Sequence, residues 1–122
     1  IIEARIVYPE AFVGTQSHIF DETLNDYRKD IAPARTFGRL SEVEALKKQG
    51  LAKGASFENA IAITEDGYSA PLRFPDELAR HKILDIMGDI AFVGARLAGR
   101  IVSVRAGHKL NIELVRRIIN AS

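Results

Sequence analysis

Residues 80–89, RHKILDIMGD, set His81, Asp85 and Asp89 at four-residue spacing in an otherwise apolar stretch. On a helix, side chains at i and i+4 point the same way, one turn apart. An imidazole nitrogen from His81 and a carboxylate oxygen from Asp85 can therefore share one divalent ion, and that donor set suits zinc or another borderline cation. A bare HxxxD pair is more often a surface ion pair, so the rest of the helix has to decide. At roughly 100° per residue, Leu78, His81, Asp85, Asp89 and Phe92 share one narrow stripe, while Ile83, Leu84, Ile86, Met87, Ile90 and Ala91 fill most of the remaining circumference. A solvent face would be wide and rich in Lys, Glu and Gln. Here aspartate occurs twice where it competes with the helix backbone, and Gly88 on the stripe's edge costs about 1 kcal/mol against alanine. Poor helix formers gathered on one side point to a need for room and charge there.

Two further segments carry reactive groups. In RAGHKLN (105–111), His108 follows a glycine at a strand end, just ahead of a helix start. That position is rigid yet open, which suits a proton donor, although a turn histidine chosen for its backbone tolerance gives the same pattern. In ARTFG (34–38), Thr36 offers a hydroxyl, Phe37 a flat face and Gly38 close approach. The third histidine, His18, is not a candidate.

The elements that must hold these groups follow from patterning. IIEARIVY alternates as a strand ended by Pro9, and Gly14 turns the chain into a second strand near Thr15–Phe20. Asp21 or Glu22 is expected to open a helix that Pro33 stops. ARTFG is extended. Ser41 and Glu44 form a capping-box pattern for a helix through Gln49, with Gly50 as its stop. NAIAIT (59–64) reads as a buried strand, Asp66-Gly67 as a turn and LRF (72–74) as the pairing strand. Pro75 is expected to start the long helix, Gly99–Ala106 forms another strand, and Asn111 is expected to cap the last helix. Without a regular βαβ rhythm, the fold class is α+β: a two-layer sandwich of a mixed β-sheet packed on helices.

The 122 residues suffice for one domain with a modest core. A net charge of +1 gives no general grip on nucleic acid or anionic membrane, and no apolar run approaches membrane-span length. The absence of cysteine excludes disulfides and thiolate metal sites and suits a reducing compartment. The opening IIEARIVYP begins in mid-strand without methionine, which leads us to expect a piece of a longer polypeptide.

Taken in order, RTFG, GLAKGASFENAI, LRFPDELARHKILDIMGD and AGHKLN resemble the C-terminal half of the UDP-3-O-acyl-N-acetylglucosamine deacetylases, cytoplasmic zinc enzymes of lipid A biosynthesis. The resemblance covers almost the whole chain and is most specific in RHKxLDxxGD and GHxLN. It implies that residues 1–122 are a C-terminal domain, with 1–32 as an insert region lining an acyl passage and 33–122 as a core carrying half of a zinc site. It further implies His81 and Asp85 as metal ligands, Asp89 as the group that orients His108 and favours its protonated form, and His108 as the stabiliser of the oxyanion or the acid for the leaving amine. Thr36 would bond the oxyanion, Phe37 would pack on substrate, and Lys82 and Arg105 would approach the diphosphate. Arg39, and Gly54–Ala55 in place of paired glycines, depart from the family pattern at the site's edge. The family's third zinc ligand and its general-base glutamate belong to the N-terminal half, which would be the partner. Two other readings stay open: a non-catalytic nucleotide-sugar-binding module, or a domain whose charged stripe is only an interface.

Overall fold

The computed structural model describes residues 1–50 and 59–121, so Gly54–Ala55 and most of GLAKGASF lie outside the described residues. Strand β1 (Ile2–Val7) pairs antiparallel with β2 (Thr15–Phe20) and parallel with β5 (Ile101–Val104), giving a mixed sheet in the order β2-β1-β5. A separate parallel pair joins β3 (Thr36–Arg39) to β4 (Ala60–Ile63), with helix α2 (Leu40–Lys48) between them in the chain. Helices α3 (Glu77–Ile90) and α4 (His108–Ala121) pack against each other, and α3 also covers β1 and β2. This is the expected α+β sandwich.

Alternation in β1 explains the layering. Ile2, Ala4 and Ile6 point inward. Ile2 and Ala4 meet Phe20, Ile31, Ile83 and Ile86, while Ile6 joins Val13, Ile63 and Leu78, with Tyr8 and Phe37 packed alongside. Residues 1–20 thus supply the central strand and one edge of the main sheet, and Phe20 and Ile31 share a core with α3.

Local chemistry moved several element boundaries. The helix expected from residue 21 shrinks to α1 (Tyr27–Asp30). The Asp21 carboxylate takes the backbone N–H and hydroxyl of Thr23 (2.9 and 2.7 Å), and Asp26 accepts from Arg28 N (2.9 Å). The Asp21 side chain holds the chain in a turn, and Asp26 caps the helix only from Tyr27 onward. The turn at 64–67 forms, closed by Thr64 N donating to Gly67 O (2.8 Å). LRF, however, is not a strand: Ile63 bridges to Tyr68, and Ser69 N donates to Ala62 O (2.9 Å). Pro71 then removes a ladder donor. Helix α2 begins at Leu40, so Ser41 falls inside its first turn rather than capping it. Gly50, with φ of 77°, follows that helix in the left-handed region. The long helix starts at Glu77 with Asp76 as its N-cap residue, but without a side-chain cap bond. Asp76 has other partners, His18 Nδ1 (2.8 Å) and Arg80 Nε (2.6 Å).

Candidate active site

Helix α3 carries His81, Asp85 and Asp89 on successive turns, and the start of α4 brings His108 against them. His81 Nδ1 lies 3.0 Å from the Ala34 carbonyl, which can only accept. Nδ1 therefore carries a proton, and Nε2 is the nitrogen turned toward Asp85. Nε2 sits 3.2 Å from Asp85 Oδ1. Two lone-pair atoms that close repel unless a cation, either a proton or a metal, lies between them. Donors at zinc–ligand distances and a tetrahedral angle would be about 3.4 Å apart, so the pair fits such an ion. Among the described residues, no three histidine, cysteine or acidic side chains are arranged to hold a metal; the donors present amount to this pair.

Burial pushes the Asp85 carboxyl up, yet the His81 hydrogen bond and the charges of His81, His108 and Lys82 outweigh it and hold the group below the usual carboxylate range. Asp85 is thus an anion aimed at whatever cation the pair takes.

The second pair faces the first. His108 Nδ1 donates to Asp89 Oδ2 at 2.7 Å, and His108 Nε2 lies 3.8 Å from Asp85 Oδ1. Asp89 is 8% exposed, whereas the His108 side chain is 68% exposed. A buried carboxylate therefore fixes one edge of an imidazole whose other edge is open, the arrangement a proton donor needs. Asn111 completes it by donating Nδ2 to the same Asp89 oxygen (2.9 Å). The expectation that Asn111 caps the last helix is overturned. Helix α4 begins at His108, and Asn111 is buried in its first turn, where it faces Asp89. The signal was present in GHKLN, because residues three apart on a helix share a face.

The remaining candidates surround these pairs unequally. Phe37 sets its ring edge-on to His81, with centroids 6.3 Å apart, and Lys82 Nζ stands 5.4 Å above the same ring. Lys82 and Arg105 line one small cavity of about 200 Å³ with Tyr8 and Ala106, so the structure brings together the two cations expected at an anionic substrate. Arg105 itself adopts φ of 54°, a strained setting for a non-glycine residue. Thr36 is exposed at the start of β3, two residues after the Ala34 carbonyl. Phe92 leaves the stripe, lying exposed in a 3₁₀ turn beyond α3. A larger hollow of about 480 Å³ lies near the C-terminal end of α3, lined chiefly by apolar side chains such as Phe20, Met87, Ile90 and Leu114. It contains none of the candidate residues. Sequence reasoning also missed the buried Arg35–Glu77 ion pair (2.9 Å) beneath His81.

Comparison with known proteins matches the chain to one family. A family model described as UDP-3-O-acyl N-acetylglycosamine deacetylase matches residues 1–120. The chain is 45% identical over 121 residues to a UDP-3-O-acyl-N-acetylglucosamine deacetylase of Syntrophotalea carbinolica, covering 94% of this chain and 39% of that protein. It is 42% identical over 121 residues to the protein of that name from Myxococcus xanthus (98% and 38%). A Leptospira biflexa protein of that name is 49% identical over 92 residues (75% and 30%). The chain therefore spans well under half the length of these relatives. With the matched region reaching from β1 to the end of α4, the chain belongs to the UDP-3-O-acyl N-acetylglycosamine deacetylase family.

Proposed function

We propose that this chain is the C-terminal domain of a two-domain, zinc-dependent deacetylase. The enzyme hydrolyses the N-acetyl group of UDP-3-O-acyl-N-acetylglucosamine to UDP-3-O-acyl-glucosamine and acetate, in the cytoplasm, as a step of lipid A biosynthesis. One observation carries the reading: His81–Asp85 and Asp89–His108 meet so that an imidazole nitrogen, an anionic carboxylate and an open histidine edge face one space.

His81 Nε2 and Asp85 would hold the zinc, with the third ligand and the general base coming from the N-terminal half. The bound metal supplies Lewis acidity toward the acetamide carbonyl and acidifies water. This chain's own residues do the rest. Asp89 and Asn111 hold His108 so that its Nε2 faces the reacting amide, where it stabilises the oxyanion or delivers a proton to the leaving amine. Thr36 offers a further donor to that oxyanion. Phe37 packs on the sugar end of the substrate and shields His81 from water, while Lys82 and Arg105 bind the diphosphate.

The test measures zinc by elemental analysis and acetate release, for the chain alone and together with the N-terminal half of the Myxococcus xanthus relative. With two protein ligands, the lone chain should bind zinc weakly and release no acetate. The pair should hold zinc near one per complex and turn over. Tight zinc and turnover from the lone chain would refute the half-site, and no acetate from a zinc-loaded pair would refute the assignment.

A further inference from the structure

Beneath His81, in the first turn of α3, the Glu77 side chain is fully buried and bonds to two other segments. Its Oε2 accepts from Arg35 Nε and from the Arg35 backbone N–H, both at 2.9 Å. Its Oε1 accepts from Arg35 Nη2 at 3.1 Å and from the Arg73 backbone N–H at 2.6 Å. Four donors fill the lone-pair sites of one carboxylate. Arg35 Nη2 also donates to the Pro71 carbonyl at 2.9 Å.

One of these bonds bears on the metal pair. The Arg35 N–H and the Ala34 C=O belong to the same peptide unit, and that C=O takes the proton of His81 Nδ1. A trans peptide is planar, with its N–H and C=O pointing in opposite directions. Gripping the N–H therefore sets the direction of the carbonyl. Glu77 and His81 are four residues apart, so one helix holds both ends of that peptide.

We propose that Glu77, acting on the Ala34–Arg35 peptide with Arg35, is a positioning residue that fixes the tautomer of His81. This rests on the reading of His81 as a metal ligand, since only the Nδ1–H tautomer leaves Nε2 able to bind a metal. If the peptide turned away, Nδ1 would lose its acceptor and the proton could move to Nε2. Stability alone does not call for a charged pair here, because apolar residues of similar volume often replace a buried ion pair without loss. What an apolar side chain cannot do is accept the Arg35 N–H.

The experiment reads the His81 ring nitrogens by long-range ¹H–¹⁵N NMR on the metal-free chain at about pH 8, above the usual histidine range. Zinc affinity is measured in parallel by chelator competition on the complex with the N-terminal half. The variants are Arg35→Met/Glu77→Leu, which fills the space without an acceptor, and Glu77→Asp, which keeps the charge but withdraws its reach. In the parent chain, His81 should carry its proton on Nδ1. The double variant, folded by circular dichroism, should show mixed tautomers and about tenfold weaker zinc binding, the lower end of what supporting partners contribute. Glu77→Asp should mix the tautomers too, and it decides the matter if the double variant does not fold. A folded variant whose His81 stays entirely Nδ1-protonated overturns the proposal. A tautomer response together with a complex that binds no zinc would instead refute the ligand role of His81 and leave the positioning intact.

Discussion

Asn111 separates two accounts of the same residue sharply. As a helix cap it would tolerate aspartate, which serves that position as well as asparagine. As the partner of Asp89 it would not, because Asn111 Nδ2 donates at 2.9 Å to a carboxylate that is 8% exposed. Asn111→Ala removes one of the two donors on Asp89 Oδ2 and leaves the 2.7 Å bond from His108. A hydrogen bond to a charged group contributes about 1.5–3 kcal/mol. At roughly 3–6 °C per kcal/mol for a domain of this size, the midpoint should fall by about 5–18 °C. Asn111→Asp should be worse than alanine near neutral pH, since it sets a second carboxylate against a nearly buried one and like charges there repel strongly. The assay is thermal and urea unfolding followed by circular dichroism for parent, Asn111→Ala, Asn111→Asp and Asp89→Asn, the urea data giving the free energies for a cycle closed by the Asp89→Asn/Asn111→Ala double variant. A coupling of about 1 kcal/mol or more is expected for groups in direct contact. An aspartate variant as stable as the parent, or strictly additive single changes, would refute the Asp89 contact and restore the cap.

In the complete enzyme, His108→Ala should lower kcat by about 10²-fold or more, the scale of lost acid catalysis or oxyanion stabilisation. Zinc content, measured by elemental analysis, should hardly change, and loss of zinc with unchanged turnover per metal would remove His108 from this role. Burial pushes Glu77 up, but the hydrogen bonds from Arg35 and Arg73 and the Arg35 charge pull it below its ordinary value; Asp76 is likewise held down against burial by Arg80 and His18. Depressed carboxylates stabilise the fold fully above their unfolded values of about 4. That contribution is lost as pH falls through the lower folded values. Thermal midpoints should therefore hold from neutrality to about pH 5 and drop below it, with a shallower drop in Arg35→Met/Glu77→Leu; identical pH profiles for the two proteins would contradict the assignment.

The sequence alone determined what depends on near neighbours. Four-residue spacing put His81, Asp85 and Asp89 on one side of a helix. Alternation in residues 2–7 made a strand with one buried face, and RHKILDIMGD with AGHKLN carried the family resemblance. Local patterns failed where one residue type serves two ends. Asn111 reads as a cap and Asp21 as a helix opener, because these short polar side chains bond whatever partner is near, backbone N–H or, for asparagine, a carboxylate, and only the surroundings choose which. Tertiary structure alone decided the pairings across the fold. The resemblance had implied that Asp89 sits beside His108, nineteen positions on, but spacing alone did not, and nothing in the order of residues says that the peptide before Arg35 meets His81, forty-seven positions away. Those contacts exist because α3 must bury its apolar sides against β1, β2 and α4. Once Ile83 and Ile86 are in the core, the polar stripe is turned toward β3 and the start of α4, and the site is assembled by the packing of its apolar neighbours.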